Sequence, residues 1–274
     1  MNWEQAKTWF IFAFLLLDLV LAWPLYTDRI QTAGYAESYQ DQLANTKTLL
    51  AEHGLTLAAN VPTDHPSLST LHADFANPPL RELARAAFHS PRIEEFVGGA
   101  QGSDGRVMLI GSGSWQVEYD RPIAAKGAAA WLNRVWHGSE YMADTALAQR
   151  FAPTYEQAYD DYPMFDVTLT FDVRGGILHG YMQTCVVNIT PAGSAKPTVS
   201  ALDALDSLAT MVDNGSGHSA ARIVDIQLGY VRKVAVNPDG ASQPANYWFP
   251  VWRVVTTRQV YYINALTGEV DSPY

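Results

Sequence analysis

The longest apolar run in the chain is residues 9–26, WFIFAFLLLDLVLAWPLY, interrupted by one charge, Asp18, and one late proline, Pro24. At about 1.5 Å per residue, a helix of this length approaches the roughly 30 Å of a hydrocarbon core. Eleven of its residues are Leu, Ile, Val or Phe. At roughly −0.3 to −0.6 kcal/mol each they outweigh the cost of about 3 kcal/mol for a central Asp. Trp9, Trp23 and Tyr26 stand at the two ends, where amphipathic rings prefer the headgroup layer. The pattern predicts a transmembrane helix. Trp23-Pro24-Leu25-Tyr26 offers no small-x-small cleavage site, so an uncleaved anchor is expected. Residues 1–8 are then a cytoplasmic tail and the rest of the chain is exported and extracellular.

Residues 27–54 read as a juxtamembrane segment. Tyr35, Tyr39, Leu43, Thr46 and Leu50 form a helical stripe, closed by Gly54. Residues 55–61 and 68–75 read as short strands, and Pro78-Pro79 opens a helix that reaches Phe88 with Leu80, Leu83, Ala84 and Ala87 on one face. The glycine-rich stretch 98–114 predicts hairpin turns, joining a strand 106–110 to a strand 115–119. Ala128, Trp131, Leu132 and Val135 mark a helix ending near Gly138. A second helix is expected over 141–151, and Tyr155–Pro163 is read as a connector between two lobes.

The clearest strand follows. Val167, Leu169, Phe171 and Val173 alternate with Asp166, Thr168, Thr170 and Asp172. Arg174-Gly175-Gly176 turns it into a partner strand over 177–189. Ser200 caps a helix with Asp203 three residues on, burying Leu202, Leu205, Leu208 and Ala209. Val224, Ile226, Leu228, Tyr230 and Val234 mark another strand, and 247–256 and 259–264 two more. The fold class is α+β: one transmembrane helix, then antiparallel sheets with packed helices, in a first lobe (55–160) and a second lobe (161–274).

Composition narrows the chemistry. The formal net charge is −10, with Lys7, Glu4 and Asp18 the only charged side chains before residue 27. An exported part this acidic does not suit nucleic acid or an anionic lipid surface. The single cysteine, Cys185, lies in a strand-like run and reads as a small core residue. No disulfide, metal or cofactor is expected. Asp64, His65, His72 and Asp74 do not have the spacing of a metal site, and Tyr155–Pro163 lacks the glycine and alternating Asx residues of a calcium loop. The seven histidines are dispersed, Gly111-Ser112-Gly113-Ser114 is neither a phosphate loop nor a nucleophile elbow, and Asp160-Asp161 has nothing to separate acid from base. No catalytic residues are assigned, and the chain is read as not an enzyme.

Met1-Asn2-Trp3, Lys7-Thr8, Phe10-Ile11 and Phe14-Leu15-Leu16-Leu17-Asp18-Leu19 resemble the opening of the YycI (WalI) family, which usually begins Met-Asp-Trp. Trp248-Phe249-Pro250-Val251-Trp252-Arg253-Val254, Val260–Ala265 and Thr267-Gly268-Glu269-Val270 are similar to the last strands of PepSY-type modules, so both lobes are expected to be PepSY-like. The resemblance to YycI implies a single-pass regulator of the two-component system controlling cell-wall metabolism. It implies contact with a sensor histidine kinase and a YycH-like sister regulator, restraining the kinase through the membrane span. An Asp in the hydrocarbon faces another helix or a polar cavity. Phe14, Asp18 and Ala22, stacked at i, i+4 and i+8, are therefore the candidate partner-binding face. The alternative is an anchored exported module that binds a ligand of unknown kind.

Overall fold

A computed structural model describes residues 38–88, 92–124, 127–147, 153–212, 221–236 and 242–271. The expected transmembrane helix, and with it Phe14, Asp18 and Ala22, lies outside the described residues. Among those described, no helix is long and apolar enough to cross a membrane. The chain divides into two units, residues 1–46 and 47–274. In the first unit, Ser38 accepts a hydrogen bond from the Asp41 backbone N–H and starts α1 (Tyr39–Glu52), as a serine N-cap should.

The second unit is sheet-rich. Leu49 and Leu50, from the last turns of α1, belong to its larger apolar cluster. Beyond Gly54, whose φ is +72°, come β1 (Leu55–Leu57), β2 (Ser67–Phe75) and α2 (Leu80–Phe88), the last burying Leu83, Ala84, Ala87 and Phe88. A meander follows: β3 (Glu94–Phe96), β4 (Gly99–Gln101), β5 (Gly105–Gly111) and β6 (Ser114–Ile123) pair antiparallel in sequence order. The short α3 (Ala128–Leu132) ends the run that the sequence reads as a helix to Gly138.

Three expectations are then corrected. The helix expected over 141–151 is replaced at its start by β7 (Tyr141–Ala143) and a turn, in which Asp144 Oδ1 accepts the backbone N–H groups of Ala146 and Leu147. The connector 155–163 is a hairpin, β8 (Thr154–Tyr159) with β9 (Tyr162–Arg174). Its loop is Asp160-Asp161, at φ 47° and 66°. Positive φ at both central residues is what a type I′ loop needs, and Asp tolerates it better than most. The partner strand 177–189 is two strands, β10 (Ile177–Thr184) and β11 (Val186–Pro197), separated at Cys185. β10 pairs with β6 and β9, whereas β11 leaves them to pair with β2.

α4 (Ala201–Met211) starts as the sequence requires. Ser200 and Asp203 form a reciprocal capping box, and six of its side chains are buried. β12 (Ala221–Val236), β13 (Ser242–Thr256), β14 (Val260–Asn264) and β15 (Val270–Asp271) complete the chain. The alternation read along β12 slips once. A register shift between Ile223 and Asp225 leaves Val224 exposed while Ile223 and Ile226 are buried, the usual effect of a bulge on side-chain phase.

Among the described residues all fifteen strands join one sheet, whose main path is β11-β2-β13-β12-β9-β10-β6-β5-β4-β3. The pairing is antiparallel except for β1 with β12 and a single residue pair of β12 with β9, which are parallel. Two large apolar clusters form on it. One gathers Leu71, Met164, Leu205, Leu208, Tyr230, Trp248 and Trp252, the other Leu83, Phe88, Trp115, Val117, Phe171, Leu178 and Tyr181. They divide the chain differently from the boundary placed at residue 160. Residues 55–75 pair with β11, β12 and β13 and join the first cluster, because the sheet brings them beside strands more than a hundred residues away.

Candidate functional site

A cleft of about 1120 Å³ opens among the described residues. β2 and β13 are paired at Leu71–Trp248 and His72–Tyr247, and not beyond. The cleft opens past that point, lined by Asp74, Phe75 and Asn77 on one side and by Arg232 and Asn246 on the other. The tip of the β5–β6 hairpin, Leu109 to Trp115, forms its lip. Gly113 fixes this tip: it has φ +64°, and an added Cβ would lie 2.7 Å from the Phe75 ring and 2.8 Å from the Cys185 carbonyl. A side chain there would push the hairpin away from the cleft floor.

Arg232 is the cation of the cleft. Its guanidinium lies 4.9 Å from the Phe75 ring centroid and 6.0 Å from that of Trp248. Nε is 3.5 Å from Asp166 Oδ2, too long for a hydrogen bond, and it has no other partner. Asp166 is already engaged, since its Oδ1 accepts Trp248 Nε1 at 2.9 Å. Burial raises the Asp166 pKa, with the indole and Arg232 pulling it back. Elsewhere in the cleft Ser114 and Thr184 share a hydroxyl hydrogen bond at 3.0 Å, and Asn188 donates to Asp74 at 3.1 Å.

A second arginine is fully enclosed. Arg253 on β13 donates to Asp144 Oδ2 at 2.9 Å, Glu156 Oε1 at 2.6 Å and Gln227 Oε1 at 2.8 Å. Its face lies 4.2 Å from the Phe165 ring centroid. Both carboxylates are almost completely buried. Burial is the main cause pushing the Glu156 carboxyl up to about 8; Arg253 opposes it and Asp144 adds to it. One guanidinium faces two adjacent buried carboxylates, an arrangement that favours the protonated form of Glu156.

The strand break at Cys185 is stitched by side chains. Gln157 accepts the Val186 N–H and donates to the Val186 carbonyl, acting as a stand-in for a neighbouring strand. The Tyr141 hydroxyl donates to the Thr184 carbonyl and accepts from Gln183. Cys185 is fully buried. Burial pushes its thiol up to about 12, so it is a core residue and not a nucleophile.

The family model described as YycI protein matches residues 116–266. The chain belongs to the YycI family. No curated protein matches it. Among solved structures, an uncharacterized protein from Eubacterium rectale shares 11% identity, with 84% of this chain and 98% of that one covered and a TM-score of 0.46. The YpeB C-terminal domain of Bacillus megaterium shares 10% identity over 71% of this chain and 95% of that one, with a TM-score of 0.36. Of the groups described above, Asp144, Glu156, Asp166, Arg232 and Arg253 fall inside the YycI match. The lip of the cleft and Asp74 to Pro78 fall outside it.

Phe14, Asp18 and Ala22 lie outside the described residues, as do His89 and His218. The described histidines are scattered. His53 contacts the Val212 carbonyl, His72 packs edge-on against Tyr247, and His137 pairs with Glu140. Among the described residues no three His, Cys, Asp or Glu side chains gather as a metal site. Sequence reasoning missed both arginine sites. Arg253 carried a signal, a lone charge within an apolar strand, which implies a buried counterion. Asp166 shows in the sequence only as a polar position of an alternating strand.

Proposed function

We propose that this YycI-family chain is a membrane-anchored regulator of the sensor histidine kinase of a two-component system controlling cell-wall metabolism. It acts by contact with that kinase and with a YycH-like sister protein, and is not an enzyme. Residues 9–26 anchor it as a single span, with the amino terminus cytoplasmic and the sheet-rich part outside. Phe14, Asp18 and Ala22 form its face toward partner helices, and the C-terminal strands are of PepSY type. Membership of the YycI family, over residues 116–266, is the observation that supports this reading. Replacing residues 9–26 by an unrelated apolar span tests it. Co-purification with the kinase from native membranes should be lost, and unchanged co-purification overturns the role of the span. Asp18→Leu should weaken association by about 1 kcal/mol, and Asp18→Asn should keep most of it.

A second reading, an anchored module that binds a ligand, is favoured by the cleft around Arg232. In that case swapping the span leaves ligand affinity intact.

A further inference from the structure

We propose that the cleft between β2 and β13 binds an extended peptide carrying a carboxylate, which Arg232 receives. The inference deepens the ligand-binding reading by naming the class of ligand.

The shape is the first argument. A cleft of about 1120 Å³ exceeds what a single small metabolite fills, and suits several residues of extended chain at roughly 3.3 Å each. It lies where two neighbouring strands stop pairing beyond His72–Tyr247, so an incoming strand would enter between β2 and β13. Pairing at the outer edge, β11, is blocked by its own sequence. Pro191, Lys196 and Pro197 lie on it, with two register shifts against β2, and such residues discourage strand addition.

The chemistry is the second. The Arg232 guanidinium is preset by Phe75 and Trp248 yet held by its own carboxylate only at 3.5 Å. An arriving carboxylate can make the shorter, two-pronged contact that arginine favours. Asn77 and Asn246 also line the cleft, and an asparagine side chain carries the donor and acceptor that a peptide bond needs. Leu109 and Ile110, 43% and 54% exposed, give the lip an apolar surface for a ligand side chain.

The test uses the full chain in lipid nanodiscs and three pools of random heptapeptides, read by affinity selection and mass spectrometry. One pool has free C-termini and no Asp or Glu. The second is C-terminally amidated and contains Asp or Glu. The third is amidated and contains neither. The first or the second should be retained about tenfold or more over the third, the ratio expected for a charge-assisted contact. Whichever is retained tells whether a chain terminus or a side chain is held. Retention should fall about as far in Arg232→Gln, and also in Ser112→Trp, which fills the mouth from an exposed turn and leaves the core untouched. Equal retention of all three pools, no retention of any, or parent-like binding by Ser112→Trp overturns the inference. If no pool binds while Ser112→Trp still alters kinase output, the ligand class fails and the ligand-binding reading survives.

Discussion

Arg253 and Arg232 sit on neighbouring strands and face opposite ways. Trp248 and Trp252 point into the larger apolar cluster; Arg253, one residue on from Trp252, takes the other face, while Arg232 pairs across from Trp248. Both guanidinium groups lie over a phenylalanine ring, Phe165 and Phe75 respectively. They differ in what else holds them. Arg253 has two carboxylates and a glutamine within 3.2 Å, and Arg232 has one carboxylate at 3.5 Å. Both terminal nitrogens of Arg253 are taken up by buried acceptors and only its Nε is left without a partner, so this cation holds the fold together. One that is preset but loosely held retains capacity for a ligand. The same hairpin serves both, because Glu156 lies on β8 and Asp166 on β9.

The largest expected effect comes from breaking the enclosed site. Arg253→Met leaves Asp144 and Glu156 buried without a cation and should cost about 3–5 kcal/mol. The matching change, Arg232→Met, removes a partly exposed pair and should cost no more than about 1 kcal/mol. Urea denaturation of the two variants decides the comparison. Equal losses would mean that Arg232 is as structural as Arg253.

Protonation separates the two sites further. The folded-state value of Glu156 is raised from 4.5 to about 8, so between those values the native state binds more protons than the unfolded one. Its contribution to stability is full below about 4.5 and is lost as pH rises through about 8. Glu156→Gln should flatten the fall in stability across this window, measured as melting temperature against pH. An unchanged slope would show that Glu156 is ionised beside Arg253. A smaller effect is expected at the cleft, where Asp166→Asn still offers an oxygen to Trp248 Nε1 and should cost about 1 kcal/mol or less.

What the sequence made legible was local. The alternation of 166–173, the Ser200–Asp203 box and the glycine turn at 111–114 each specify structure through neighbours a few residues away, and each is present. What it hid depends on distant partners. Tyr155 to Tyr159 reads as a polar connector because Glu156 and Gln157 look solvated, yet both are buried. Their partners are Arg253, ninety-seven residues on, and the Val186 backbone, twenty-nine on. Strand preference depends on such context more than helix preference does. The break at Cys185 was hidden for the same reason: its apolar pattern continues from β10 into β11 while the pairing partner changes.

The smallest effect tests whether the shared hairpin is a passive carrier of both carboxylates. Asp161 sits at φ 66°, where a side chain costs about 1 kcal/mol or more relative to glycine. Asp161→Gly removes that strain but gives the unfolded chain more freedom, a loss of about 0.4–1 kcal/mol. Asp-Gly is also the favoured pair for a two-residue type I′ loop, so the balance should be a gain on the order of 0.5 kcal/mol. The Tyr159–Tyr162 register should be kept, and with it Glu156 at Arg253 and Asp166 at Arg232. The variant should therefore be slightly more stable, with the pH slope set by Glu156 unaltered. A stability gain accompanied by a changed slope would mean that the turn strains the hairpin and tunes how Glu156 meets Arg253, and the two arginine sites would then be coupled through β8 and β9.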